Sequence, residues 1–287
     1  MCGAAGEAWL AELPDLLDAA AHRWHLRLGD PLPGMAYNYV GAVTQADGSP
    51  AVLKIGIPDE EWRIELAALQ AFAGSGTVRL LASWPERRVF LLEALQPGRP
   101  LAELSDEDHA MQVTADLLRQ LWAPPPAEGD FPAIADWAQG LRRLRVRFEG
   151  GTGPFPAALV ERAEANYAAL LGDQGEVKLL NGDAHHWNIL SSQAHPAGYV
   201  FIDPKGLLGE AEYDLMPWLR NNLPETESAA EWQARISRRI ERFAELLDFD
   251  PQRLRAWGQA ESLLSAWWHY EDGRPDFAAA LQIAALY

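Results

Sequence analysis

Three oxygen-bearing side chains stand close together late in the sequence. Asp183 opens Gly182-Asp183-Ala184-His185-His186-Trp187-Asn188, Asn188 follows five positions later, and Asp203 comes fifteen positions after that. Asp183 follows a short apolar run and opens a polar loop. Asn188 precedes apolar residues that re-enter structure, and Asp203 ends the next apolar run, Val200-Phe201-Ile202. Two strands and a loop of this length can bring all three to one side of a cleft. Phosphoryl transfer needs this mixture: one carboxylate to orient the accepting hydroxyl and take its proton, and a second carboxylate with an amide oxygen to hold magnesium against nucleotide phosphates. A polar turn in which Asp183 and Asn188 only cap the backbone is the competing reading.

Phosphates also need a cation. Lys54 lies in the apolar run Ala51-Val52-Leu53-Lys54-Ile55. An ammonium buried without a partner is costly, so a carboxylate is expected nearby. Glu65 on the following helix is the best candidate. Glu60 and Glu61 compete for that role, but acids at a helix start commonly just face its dipole. Lys54 would then contact phosphates and Glu65 would hold it; an edge-strand lysine facing water is the alternative. Gly34-Met35-Ala36-Tyr37-Asn38-Tyr39-Val40 occupies the place of a phosphate-covering loop, without the glycine spacing of either common phosphate loop. Main-chain groups of Glu93 to Leu95, where the chain leaves its β-rich part, could receive an adenine.

The elements that must carry these residues follow from periodicity. Residues 7–28 read as helical, with Pro14 kinking or splitting the segment. Tyr37 to Val43 and Ala51 to Ile55 read as strands around an Asp47-Gly48 turn, and Val78 to Ser83 and Val89 to Glu93 as two more. A helix is expected from about Glu60 to Ala73. Beyond Pro97-Gly98 helical spacing dominates, in 106–122, 131–147, 157–171 and from Pro224 nearly to Tyr287. Val177–Leu180 and Tyr199–Ile202 interrupt it as short strands. An α+β, two-lobed chain follows, with a small β-rich part over 1–95 and a larger helical part over 96–287.

Length agrees: 287 residues suggest about two domains. With 48% hydrophobic and 23% charged residues, disorder is a poor reading. Forty-one acids against 24 Lys and Arg give −17, which disfavours nucleic acid and anionic membrane surfaces and suits a cationic partner. The single cysteine, Cys2, excludes an intrachain disulfide and a cysteine-based zinc site. No transmembrane helix and no secretory signal are expected. A reducing, cytoplasmic setting fits, and no obligate protein partner is evident.

The order Lys54, Glu65, Glu93-Ala94-Leu95, Gly182-Asp183 to Asn188, Ile202-Asp203 resembles the aminoglycoside phosphotransferases of the protein-kinase-like superfamily. The nearer resemblance is to the streptomycin 6-phosphotransferase, or aminoglycoside/hydroxyurea kinase, branch. It rests on Glu7-Ala8-Trp9-Leu10, Val78-Arg79-Leu80-Leu81, the Gly182–Asn188 run, Ile202-Asp203-Pro204-Lys205-Gly206-Leu207-Leu208-Gly209-Glu210 and Glu271-Asp272-Gly273. The resemblance implies a two-lobed kinase-like fold and ATP with Mg2+ as cofactors. It implies Asp183 as the catalytic aspartate, Asn188 and Asp203 as magnesium ligands, Lys54 on the phosphates with Glu65 beside it, and Asp214 as a brace for the catalytic loop. One departure is Asn181, where many relatives have histidine; asparagine can still hydrogen-bond the loop.

The implied acceptor is a cationic small molecule of streptomycin type. His185 would support the loop or border the acceptor site, and a zinc role for His185 and His186 lacks a third ligand at zinc spacing. Glu210, Glu212, Glu261, Glu271 and Asp272 are candidate acids for the acceptor, and Trp187, Trp267 and Trp268 candidate stacking surfaces. Each could instead be a solvated helix face or core. Lys205, just past Asp203, could touch phosphate, but a bridge to Glu210 or Glu212 is the expected role. A different acceptor (a sugar, an amino alcohol or hydroxyurea) and a nucleotide-binding pseudoenzyme are the other readings.

Overall fold

The computed structural model describes residues 3–33, 38–127 and 129–287. Of the phosphate-covering segment, residues 34–37 lie outside the described residues. The chain divides into two units, one of residues 1–99 with 190–205 and one of residues 100–189 with 206–287.

The first unit is built on a five-stranded antiparallel sheet. Its strands are β1 (Arg27–Pro31), β2 (Tyr39–Thr44), β3 (Pro50–Ile55), β4 (Leu80–Trp84) and β5 (Val89–Glu93), in the order β1-β2-β3-β5-β4. Alternation sorts its side chains. Leu53, Ile55, Val89 and Leu91 join Trp9, Leu16 and Ala20 of helix α1 (Gly3–Trp24) in one core. Val52, Phe90 and Leu92 meet Leu66 and Leu69 of helix α2 (Glu61–Phe72) in another. Lys54 lies two residues from Val52 and pairs with Phe90 across the ladder, so strand period alone turns it toward α2. Further on, β6 (Pro97–Pro100), β8 (Ile189–Ser192) and β9 (Tyr199–Phe201) form a three-stranded sheet in the order β6-β8-β9.

Two expectations about the start of the chain need correction. Helix α1 is not split at Pro14 but runs on through it, because proline removes one hydrogen bond while Trp9, Leu16 and Ala20 hold both sides of it to the sheet. The helix also ends at Trp24 rather than near residue 28. His25 turns to φ 53° and the chain enters β1, all five residues of which are exposed. An edge strand with no buried side chain carries no alternation to read.

The second unit is mostly helical: α3 (Glu107–Leu121), α4 (Ile134–Arg147), α5 (Ala157–Gly172), α6 (Met216–Arg220), α7 (Ala229–Leu247), α8 (Pro251–Glu271) and α9 (Phe277–Ala284). Helix α8 is buried on nearly every face from Leu254 to Trp267 and forms its centre. A two-stranded antiparallel sheet, β7 (Lys178–Leu180) with β10 (Leu207–Gly209), carries the Asp183 loop at the end of β7. Among the described residues no helix is long and apolar enough to cross a membrane.

Candidate active site

In the first unit, strand β3, helix α2 and the segment after β9 bring three charges together. The Lys54 ammonium lies 2.6 Å from Glu65 Oε1 and 3.0 Å from Asp203 Oδ1. Lys54 is 3% exposed and Glu65 8%. Burial alone pulls the Lys54 pKa down, but the carboxylates of Asp203 and Glu65 outweigh it and hold it above its ordinary value. Burial in turn pushes Glu65 up, against the pull of Lys54. The competitors are placed elsewhere: Glu60 pairs with Arg63 and Glu61 with Lys205.

Asp203 is aimed by the strand before it. Phe201 accepts from the Val78 amide at 2.8 Å and the Thr77 hydroxyl at 3.1 Å, and its own amide donates to the Gly76 carbonyl at 2.9 Å. Ile202 then packs into the α2 core, and Asp203 takes φ 52°, a left-handed conformation that aspartate tolerates better than most residues. Its side chain stays 47% exposed, so the carboxylate that Lys54 holds on one oxygen still opens to solvent.

Glu93 is spoken for. Its buried carboxylate accepts from the Arg79 amide at 2.8 Å and Arg79 Nε at 2.9 Å, and lies 2.8 Å from His195 Nε2. Burial raises its pKa, but the Arg79 and His195 contacts win and leave it below the ordinary range. Its main-chain amide is also taken, donating to the Arg79 carbonyl at 3.0 Å. Leu95 packs in the α2 core, and its carbonyl lies 2.9 Å from where a Cβ on Gly98 would stand. With φ 70° as well, that position requires glycine.

In the second unit the Asp183 loop hangs on Asp214. The fully buried Asp214 carboxylate accepts from the amides of Asn181 (2.9 Å) and Gly182 (2.7 Å) and from Trp122 Nε1 (3.1 Å). Burial pushes its pKa up to about 6 against those three donors. Asn181 Oδ1 accepts from the Asp183 amide at 3.0 Å, so asparagine does hydrogen-bond the loop from this position. Its Nδ2 has no partner among the described residues. A 3-10 turn over His186–Asn188 then places Asn188, whose Nδ2 donates to the Asp183 carbonyl at 3.1 Å and lies 3.4 Å from its Oδ2. The Asn188 amide oxygen, the atom a hard cation prefers, is not used in those bonds.

The two histidines part company. His185 Nδ1 accepts from the Trp187 amide at 3.2 Å, which puts the proton of the neutral ring on Nε2, 3.7 Å from Asp183 Oδ1. His186 is buried and stacked on Trp218 at 3.9 Å. Burial, then the Arg239 and His185 charges, hold its pKa down at about 2.

The acceptor candidates scatter. Trp187 is 55% exposed beside Asp183 in sequence. Glu271 forms a double hydrogen bond with Arg143, 3.0 Å each, on the wall of a groove of about 780 Å³ that also holds Arg142, Arg147 and Tyr270. Asp272 is exposed at the end of α8. Three candidates are overturned. Glu210 is 1% exposed and bound by Arg253 (2.6 and 2.7 Å), the Gly175 amide and Trp257. Glu261, 1% exposed, is bound twice by Arg220. Trp267 is 2% exposed and belongs to the core. A carboxylate on the central helix is kept only with an arginine fixed to it. Trp268 packs edge-on against Trp137. Sequence reasoning missed Trp122 and His195, which act on Asp214 and Glu93 from 92 and 102 residues away; no local spacing marks either.

Residues 23–273 match the family model described as aminoglycoside/hydroxyurea antibiotic resistance kinase. The chain belongs to this family. It is 32% identical over 285 residues to a streptomycin 6-kinase from Streptomyces glaucescens, covering 99% of this chain and 90% of that one. It is 31% identical to a hydroxyurea phosphotransferase from Kitasatospora aureofaciens, over 94% of this chain and 77% of the other. Among solved structures, choline kinase LicA from Streptococcus pneumoniae superposes with a TM-score of 0.67 at 12% identity, covering 96% and 100% of the two chains. A thermostable mutant of aminoglycoside phosphotransferase APH(4)-Ia with ADP and hygromycin B gives 0.62 at 15% identity, covering 94% and 96%. The fold is kinase-like, with the small antiparallel sheet and helical remainder expected from the sequence, and the protein is an ATP-using small-molecule kinase.

Proposed function

We propose that the chain transfers the γ-phosphoryl group of ATP to a hydroxyl of a cationic aminoglycoside of streptomycin type, in the cytoplasm, and so inactivates it. The acceptor O–H bond breaks and its proton passes to Asp183. A bond forms from that oxygen to the γ-phosphorus as the bond to ADP breaks. Asp183 orients the alcohol, and the Asp214 hydrogen bonds to Asn181 and Gly182 fix the loop that presents it. Lys54, held by Glu65, offsets charge on the nucleotide phosphates. The main chain of Glu93 to Leu95 receives the adenine. Asn188 and Asp203 would hold Mg2+, to which they offer an amide oxygen and a half-exposed carboxylate, the hard donors this ion selects. When bound, the ion neutralises charge on the phosphates. His185 and Trp187 border the acceptor, Asp272 at the end of α8 contributes negative charge, and Glu271 would meet the acceptor by exchanging Arg143 for it.

The observation that carries this reading is the buried Lys54 shared between Glu65 and Asp203. The streptomycin acceptor draws support from the 32% identity over 99% of the chain and from the net charge of −17. The similar identity to the hydroxyurea phosphotransferase favours one second reading, in which the acceptor is a small hydroxylated urea. Mass spectrometry of streptomycin and hydroxyurea, each incubated with ATP, Mg2+ and the protein, separates the two. Streptomycin carrying one added phosphoryl group is the expected product. Unmodified streptomycin beside phosphorylated hydroxyurea transfers the reading to the second acceptor.

A further inference from the structure

His195 lies on the tight turn between β8 and β9, its carbonyl accepting from the Gly198 amide at 2.9 Å. Its ring, 12% exposed, reaches Glu93 at 2.8 Å, and Arg79 closes the same carboxylate from the other side at 2.7 Å. Two further bonds tie the same segments. The Gln193 amide donates to the Gln96 carbonyl at 2.8 Å, and the Arg99 amide to Ser191 Oγ at 2.8 Å. The stretch from Glu93 to Arg99 is thus stitched along the start of the β8–β9 hairpin. The end of that hairpin delivers Asp203 to Lys54. One hairpin therefore touches the segment proposed for the base and carries the carboxylate proposed for the metal.

We propose that His195 is a positioning residue for the nucleotide base: through Glu93 it sets the main chain of residues 93–95. The inference rests on the adenine site proposed above. A charge-assisted bond between a buried carboxylate and a partly buried ring is strong enough to hold a short loop in one conformation. Neither neighbouring stitch replaces it, because both lie beyond residue 95, and the Arg79 bonds to Glu93 tie that residue to the start of β4 and not to the β8–β9 hairpin. The expected signature is selective for the base and spares the phosphates.

The test uses His195→Ala, His195→Phe, which keeps ring volume, and His195→Gln, which restores a donor to Glu93. In the first two, KM for ATP should rise about tenfold, the worth of one such bond, with kcat within twofold. Preference for ATP over GTP should fall by a similar factor. Inhibition by inorganic tripolyphosphate, which has no base, should stay within twofold. His195→Gln should recover most of the KM. An unchanged KM in both variants overturns the proposal. So does a KM that rises together with the tripolyphosphate inhibition constant, or one that His195→Gln leaves high. If the wild-type chain turns over no acceptor, the proposed function fails separately. ADP titration of the same variants then decides the role of His195, with the same tenfold loss expected and unchanged affinity overturning it.

Discussion

Lys54 and Asp214 are both buried charges, and the two units stabilise them differently. Lys54 is answered by two side chains brought from 11 and 149 residues away. Asp214 is answered by two main-chain amides and an indole N–H. Side-chain partners can be exchanged: Asp203 is half exposed, and in the proposed function it would turn to Mg2+ while Glu65 keeps Lys54 in place. Main-chain donors cannot leave without remaking the loop. On the proposed reading, the first unit would trade partners when nucleotide arrives, while the second would keep the loop of Asp183 on its main-chain bonds.

Asp183→Asn breaks the comparison at its centre. Turnover should fall by about 10²–10⁴, while ADP affinity, which draws on the first unit, stays within twofold. Steady-state kinetics with an ADP titration reads both. Near-normal turnover would remove Asp183 from its role.

Lys54→Ala comes next. It leaves the Glu65 carboxylate buried without its cation and should cost about 3–5 kcal/mol in urea unfolding. The double variant Lys54→Met with Glu65→Leu should return much of that stability but no activity, because an ion pair can be replaced by apolar packing. Asp214→Ala should cost roughly 2–4 kcal/mol by stranding the Asn181 and Gly182 amides, and no apolar replacement should rescue it. An Asp214→Leu variant as stable as the parent would erase the distinction between the units.

His186 sharpens the comparison through pH. The folded ring stays neutral, with a pKa held near 2 by burial, Arg239 and His185, while the unfolded ring titrates near 6.5. Below about pH 6.5 the unfolded chain binds a proton that the folded chain refuses. The stability from His186 is present above that pH and is lost on acidification at about 1.4 kcal/mol per unit. His186→Phe should keep the stack on Trp218, and between pH 7 and 5 it should lose about 2 kcal/mol less than the parent. Equal acid sensitivity in chemical denaturation would contradict this. The smallest effect belongs to Lys205→Ala. Its pair with Glu61 is solvent-exposed and should contribute under about 1 kcal/mol, with turnover within twofold. A large loss would return Lys205 to the phosphates.

Much of this was legible. Strand period turned Lys54 toward α2, and Glu65 met it there. The Gly182–Asn188 run marked a polar loop at a strand end, and the apolar spacing of α3, α4, α5 and α8 announced the helical unit. What stayed hidden has physical reasons. Strand β1 has no buried face. Glu210 and Glu261 read as surface acids because their arginines lie 43 and 41 residues away. Nothing local announces that residues 190–205 group with the first unit, since that association is made by main-chain bonds to Gly76, Val78 and Gln96.

Chemistry was therefore written in residue type and short spacing: which side chains could move a proton, offer oxygen to a cation or neutralise phosphate. Period and alternation added which face each would occupy, because backbone geometry is local. Tertiary structure alone decided which charges are answered and by what. Whether a buried carboxylate is a reagent or a strut depends on the partner that desolvation forces on it, and that partner arrives from anywhere in the chain.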